Sequence, residues 1–245
     1  AVEEWAGHVG SVGARPLLFP TDRPRSRAPL GDGAVRSVTL PPALAAGVDA
    51  VAASRGTTTF AVLVAAFAAL AHEVTGNPAP ASMCGVANRP EARFEDVVGV
   101  FTLSSWVVVP VAGVPTFDAL VAVAKDAVWR RLALQSVPAP VLNEAAGGEF
   151  AGNPPRVIFG FFNDPIPPLE LTGVAPAAPV DVELPVARAE QTWVLSPNPD
   201  GGLDLVLEYA TDLFDADAVA GWAARFAEIL AAGVADPGSR PWRTP

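Results

Sequence analysis

The sequence predicts an α/β fold, a mixed β-sheet with helices packed on it, and three observations carry that prediction. Apolar residues make up 51% of the 245 and charged residues only 17%, enough to build a sizeable core and too apolar for disorder over most of the chain. Short β-branched or alternating runs at 34–40, 81–86, 105–111, 157–162 and 203–209 are bounded by turn residues, as strands are. Between them, at 60–74, 117–132 and 219–230, apolar residues recur at three- and four-residue spacing, as on the buried face of a helix.

The elements follow in order from local residues. Residues 1–15 predict a short helix around Trp5. The stretch 16–30, with Pro16, Pro20, Pro24 and Pro29, reads as an extended connector crossing a surface. A strand at 34–40 leads to Pro41 and Pro42, which suit a first helical turn, and Gly56 stops that helix after about Ser54. Thr57 to Thr59 offer caps for a second helix with Phe60, Leu63, Val64, Phe67, Leu70 and Val74 as its apolar positions, closed by Gly76. So few polar residues interrupt it that burial on most sides is expected. A strand at 81–86, a charged loop at 88–96 and a Val-rich strand at 105–111 come next. Thr116 caps a helix presenting Phe117, Leu120, Val121, Val128 and Leu132, and residues 137–155 read as a loop. A strong strand at 157–162 ends at Asn163, Asp164 and Pro165. Six prolines from Pro165 to Pro185 predict a long excursion with little regular structure. A hairpin pairs 191–196 with 203–209, where Leu203, Leu205, Leu207 and Tyr209 alternate with Asp204 and Glu208, so one face is buried. Asp215 caps the last helix, whose core stripe is Val219, Trp222, Phe226, Ile229 and Leu230, and Gly233 ends it.

Composition also excludes. A net charge of −10 repels a phosphate backbone, so no nucleic-acid partner is expected. One cysteine, Cys84, permits no internal disulfide and no cysteine metal cluster. Two histidines far apart, His8 and His72, rule out a histidine-rich metal site. The apolar run 60–71 falls short of the ~20 residues that span a bilayer. The longer run 97–117 is broken by Gly99, Pro110, Gly113 and Pro115, and Glu3 and Glu4 stand where a signal peptide carries positive charge. A cytoplasmic chain without a membrane partner is expected. Met83 is the only methionine and the chain begins at Ala1, which leads us to expect a piece of something longer.

Few residues offer chemistry. Cys84 lies in an apolar strand pattern and reads as a buried small hydrophobe. Ser104 and Ser105, beside Trp106 at the head of a strand, are either turn formers or hydroxyls aimed into a cleft. Asn163 either points an amide into a cleft or starts the turn at Asp164. His72 sits near a helix end, where the helix dipole accounts for it, and neither histidine has a plausible nucleophile or carboxylate partner at local spacing. Capping accounts for Asp212 and Asp215. The residues alone give an α/β domain without a self-contained active site.

Several segments together resemble the condensation domains of nonribosomal peptide synthetases. Trp5 followed by Phe19-Pro20-Thr21-Asp22-Arg23-Pro24-Arg25 resembles the linker after that family's N-terminal lobe. Asn88-Arg89-Pro90 and then Val98-Gly99-Val100-Phe101 before a Val-rich strand resemble its Gly-x-Phe-x-Asn segment. Pro115-Thr116-Phe117 looks like the element that follows, and Asn163 matches an Asn after an apolar strand. The run from Leu207 through Glu208, Tyr209, Ala210, Thr211, Asp212, Leu213 and Phe214 to Asp215 is similar to Glu-Tyr-Asn-Thr-Asp-Leu-Phe-Asp. The order and spacing of these segments span nearly the whole chain.

The resemblance implies one chloramphenicol-acetyltransferase-like lobe of a two-lobed domain: residues 1–30 as the N-terminal helix and inter-lobe linker, and 31–245 as the C-terminal lobe. The family's His-His-x-x-x-Asp-Gly motif lies on the other lobe and is absent here, so no catalytic residue and no metal ligand is assigned. The resemblance implies a substrate-tunnel wall at Phe101, Ser104, Ser105, Trp106 and Asn163. It implies as partners an N-terminal lobe, acyl and peptidyl carrier proteins and adjacent synthetase domains. No cofactor is bound directly; the phosphopantetheine arm comes with the carrier. The chain departs from the pattern at Leu103, at Ser105 and Trp106, at Val108 where an Arg is common, and at Leu134 to Pro138, where His-Gln-Asp-Val-Pro is usual. A non-catalytic recruitment module and a related acyltransferase lobe are the alternatives.

Overall fold

The computed structural model describes residues 2–26, 30–89, 91–151, 156–163, 172–173 and 186–245. Its strands are β1 (Arg15–Pro16), β2 (Gly33–Leu40), β3 (Pro80–Val86), β4 (Leu103–Val108), β5 (Val157–Phe161), β6 (Gln191–Pro197) and β7 (Leu203–Ala210). Its helices are α1 (Val2–Ser11), α2 (Pro42–Ser54), α3 (Thr59–Thr75), α4 (Phe117–Leu132), α5 (Ala139–Ala146) and α6 (Ala216–Ala235). The strands make one mixed sheet in the order β1-β3-β5-β6-β7-β2, with β4 also on β3. β4 pairs antiparallel with β3 from Ala81 to Val86 and fills one edge, so the parallel partners β1 and β5 share the other.

Pleat alternation sends neighbouring side chains of β3 and β4 to opposite faces, and each face has its own core. Cys84 and Val107 join a large cluster built from α2, α3, α4 and α6 on the sheet. Ala81, Met83, Trp106 and Val108 join a smaller cluster with Trp5 and Val9 of α1 and Leu142 of α5. The expectation for α3 holds strongly: every residue from Ala61 to His72 is buried. Thr58 accepts the Ala61 amide, Gly76 closes the helix in the left-handed region at φ 70°, and Thr116 caps α4 through the Ala119 amide. α6 is long and apolar enough, by length and composition, to cross a bilayer; its stripe Val219, Phe226, Ile229 and Leu230 is instead buried in the large cluster.

Four local expectations need correction, and a fifth, for the connector, is refined. The stretch 137–155 is not all loop, because α5 occupies Ala139–Ala146. Pro138 and Pro140 look like breakers, yet a proline in the first turn loses only an amide that has no helical partner. The connector after Pro16 crosses the surface, with residues 22–26 exposed, but it is pinned at its start: Leu17 and Phe19 are buried, and Phe19 stacks against Trp193. The Val-rich strand begins at Leu103 and ends at Val108. Asp215 holds the N-cap position of α6 but makes no side-chain cap; the amide of Asp215 is taken by Asp22 of the connector. Gly233 does not end α6; it lies inside the helix where any Cβ would enter the Phe117 ring. The proline-rich excursion lies outside the described residues, apart from Thr172 and Gly173.

Ion pairs hold the outlying segments. Glu73 of α3 takes both arms of Arg225 from α6, at 2.9 and 3.0 Å, and the Arg243 amide at 2.7 Å. Burial alone raises the Glu73 carboxyl, but the Arg225 hydrogen bonds and the Arg243 amide outweigh it and hold the group below its ordinary value. A lowered folded-state carboxyl contributes stability that is complete above its unfolded pKa and is lost as pH falls through the folded one. Thermal melts from neutral pH down through the carboxylate range should therefore show a loss that Glu73→Gln reduces. An identical acid slope in the variant refutes this account.

Candidate functional site

β3 and β5 run parallel with Met83 opposite Ile158, while Ser104 of β4 pairs with Gly85. This register places the head of β4, the end of β3 and the end of β5 at one end of the sheet. Of the residues the sequence singles out, Phe101 is half-buried there, and Ser104 and Asn163 are exposed there. β3 separates Ser104 from Asn163, and Asn163 lies three residues beyond Gly160, the β5 residue level with Ser104, so the two do not face each other directly.

Ser105 and Trp106 do not face that opening. Alternation turns Ser105 towards the helices, where it is buried and its Oγ has no hydrogen-bond partner. Trp106 turns the other way into the smaller core. Its ring meets Phe150 edge-on at 5.1 Å, and its Nε1 donates to Asn143 Oδ1 of α5 at 2.5 Å. Both shape the strand from behind.

Asn163 lines an open pocket of about 260 Å³ at the ends of β5 and β6, with Asp49, Thr59, Phe161, Gly202 and Leu203. Thr59 Oγ1 donates to Asp49 Oδ1 at 2.6 Å across its rim. The loop from 91 to 101 projects from the same end of the sheet and carries Val98 and Val100, which are almost fully exposed at 101% and 96%. Phe162, at the end of β5, is 65% exposed. These apolar side chains all stand in water at the same end of the sheet.

Two arginines to which the sequence gives no role are packed against this end by backbone carbonyls. Arg131, in the last turn of α4, is 4% exposed and donates to the carbonyls of Cys84 and Gly85. Burial pulls its pKa down, and the nearby Cys84 thiol offsets this only in part. Burial pushes the Cys84 thiol up, so it remains a protonated core group rather than a nucleophile. Arg89 organises the 91–101 loop through backbone carbonyls. Its signals in the sequence are the Asn88-Arg89-Pro90 segment and the rings of Phe94 and Phe101 that follow it in the same loop.

Neither histidine reaches this end. His72 Nδ1 bonds the Asn77 carbonyl at 2.8 Å, in the last turn of α3 just before β3 begins. His8 lies on α1, where burial and then Arg130 hold its ring below the ordinary value. Among the described residues no cluster of His, Cys, Asp and Glu could hold a metal ion. Among the described residues this end therefore offers hydroxyl, amide and aromatic surface for holding a substrate, one carboxylate, Asp49, that is hydrogen-bonded to Thr59, and no histidine.

Known proteins resemble this arrangement in sequence and in fold. The family model described as Condensation domain matches residues 11–152. A protein described as a probable non-canonical nonribosomal peptide synthetase, CymA of Salinispora arenicola, is 30% identical over 96% of this chain, which corresponds to 3% of CymA. Among solved structures, the four-domain nonribosomal peptide synthetase AB3403 superposes with a TM-score of 0.82 at 18% identity, over 98% of this chain and 19% of that one. The X-domain from teicoplanin biosynthesis superposes with a TM-score of 0.80 at 22% identity, over 98% of this chain and 56% of that one. This chain thus spans a small part of the synthetases it matches and about half of that single domain. With the family model matching more than half of its residues, this chain belongs to the condensation domain family of nonribosomal peptide synthetases.

Proposed function

We propose that this chain is the C-terminal lobe of a condensation domain, one wall of a tunnel in which an amide bond forms between two carrier-tethered acyl groups. Residues 31–245 form the lobe, and residues 1–30 are the helix and strap that lead into it. Phe101, Ser104 and Asn163 line the tunnel wall, with Ser105 and Trp106 packing it from behind. The carriers present their substrates on phosphopantetheine arms. Holding both arms in place converts a bimolecular attack into one within a complex, and that is this lobe's share of catalysis.

The observation that supports this reading best is the open end of the sheet: it gathers substrate-holding groups and uncovered valines but has no histidine. An amine attacking a thioester needs a base to accept its proton, and histidine is the usual one near neutral pH. On this reading a second lobe with the His-His-x-x-x-Asp-Gly motif supplies it, and this lobe by itself is inactive. The test supplies carrier-loaded acyl donor and carrier-loaded amine acceptor to this lobe, to a two-lobed protein containing it, and to that protein with the second histidine of the motif changed to Ala. Amide product is expected only from the intact two-lobed protein. If that protein folds, carries the motif and forms no amide from several loaded pairs, the catalytic reading fails and a recruitment module is the better description.

A further inference from the structure

The loop from 91 to 101 has no core of its own. None of its residues from Glu91 to Val100 is buried, and its regular structure is a single 3₁₀ turn, Ala92–Phe94. The charge at its centre is Arg89. Its Nη1 donates to the carbonyls of Phe94 and of Val97, the latter at 3.0 Å, and its Nη2 donates to that of Gly99 at 3.3 Å. The guanidinium also lies 4.3 Å from the centre of the Phe101 ring, which in turn meets Phe94 at 5.6 Å. No carboxylate among the described residues pairs with Arg89, whereas Glu91 of the same loop pairs with Arg93. The residue before it, Asn88, is the one non-glycine described with positive φ, at 52°. Asn tolerates that region better than most residues, at some cost in backbone strain.

We infer that Arg89 is a positioning residue of the open end: it fixes the 91–101 loop and, through the stacked Phe101, the head of β4 that carries Ser104. The catalytic part of this inference rests on the function proposed above; the hold on the loop does not. A guanidinium is planar and forked, so it can bind carbonyls on two sides while one face covers a ring. A lysine carries the same charge on a single point and cannot do both. The body of the lobe, with its two cores elsewhere, does not depend on Arg89.

The test compares Arg89→Ala and Arg89→Lys with the unaltered chain. Hydrogen exchange is read at the loop amides of Phe94, Glu95 and Val97, which donate to Glu91, Ala92 and Phe94, and melting temperature is read alongside. Both variants should exchange these amides at least tenfold faster, with melting temperature within about 2 °C of the unaltered chain. Protection that survives Arg89→Ala, or that Lys restores in full, overturns the inference, as does a general loss of protection across α3 and β6. In the two-lobed protein, a misplacement of about 1 Å can cost up to a hundredfold in rate. Arg89→Ala should accordingly lower kcat for amide formation more than it raises KM for the acceptor. An unchanged kcat also overturns the inference. An unaltered two-lobed protein that forms no amide sinks the functional reading alone, and the exchange measurement still decides whether Arg89 holds the loop.

Discussion

Phe19→Ala should destabilise the fold by about 3–5 kcal/mol, the cost of emptying a fully enclosed aromatic site. Phe19 is 0% exposed, and its ring lies 4.9 Å from Trp222, 6.1 Å from Trp193 and 6.4 Å from Phe67. Those partners come from α6, β6 and α3, so one side chain of the strap touches three elements that are far apart in sequence. The surrounding rings cannot close over the gap without moving helices, which puts the cost at the upper end of the range. Urea unfolding should show a lower midpoint with an unchanged slope. Leu18→Ala, next along the chain at 40% exposure, is the control and should stay within about 0.5 kcal/mol. A Phe19→Ala cost below about 1 kcal/mol would mean that the strap lies on the core rather than in it. Against a typical folding stability of about 5–15 kcal/mol, the expected loss is a large fraction.

The strap shows where a sequence stops being legible. Four prolines and several polar residues correctly indicate a stretch without helix. They say nothing of where an extended segment runs, because that depends on which surfaces it meets. The structure gives it a specific track: the amides of Asp22 and Arg23 donate to the Leu213 carbonyl, Asp22 accepts the Asp215 amide, and Arg23 reaches the Thr211 carbonyl. Two of the segments that most suggest the family, one near each end of the chain, are therefore bonded to each other. Periodicity, by contrast, finds α3, α4, α6 and the β6–β7 hairpin, since each buries a face whose spacing is written locally. α5 is missed because a two-turn helix with a proline in its first turn leaves too few repeats.

The candidate site divides in the same way. Asn163 and Ser104 can be singled out, and their exposure at one end of the sheet anticipated, because strand ends are readable and are where side chains leave a sheet. Trp106 misleads because a large aromatic at a strand head looks like a platform, whereas strand alternation relative to Ser104 and Ser105 decides which way it points. Arg131 is missed, and Arg89 is seen only as part of a motif without a role, because each is paired with backbone carbonyls, which leave no trace in side-chain spacing.

The second large effect lies at the other end of the strap. Changing Arg25 and Arg156 together to Met should cost about 3–5 kcal/mol, because it strands a buried carboxylate. Glu190, just before β6, has 2% of its side chain exposed. Arg25 Nε lies 2.9 Å from Oε1, Arg25 Nη2 2.9 Å from Oε2, and Arg156 Nη1 2.6 Å from Oε1. Either arginine alone leaves the carboxylate one cation, so each single change should cost much less than half of the double. The difference from additivity measures the shared partner. Adding Glu190→Met to the double variant should recover most of the loss, since an apolar trio of similar volume often matches a buried ion cluster. Full additivity of the single changes, or no recovery in the triple variant, would show that packing of the arginine stems rather than charge holds this corner. Arg25 also donates to the Phe19 carbonyl at 2.7 Å. The ion cluster and the aromatic core are therefore adjacent clamps on one strap, and Phe19→Ala in the double-arginine background should cost measurably less than in the unaltered chain. That sub-additivity follows because a strap already freed at Arg25 has lost part of what held the ring in place.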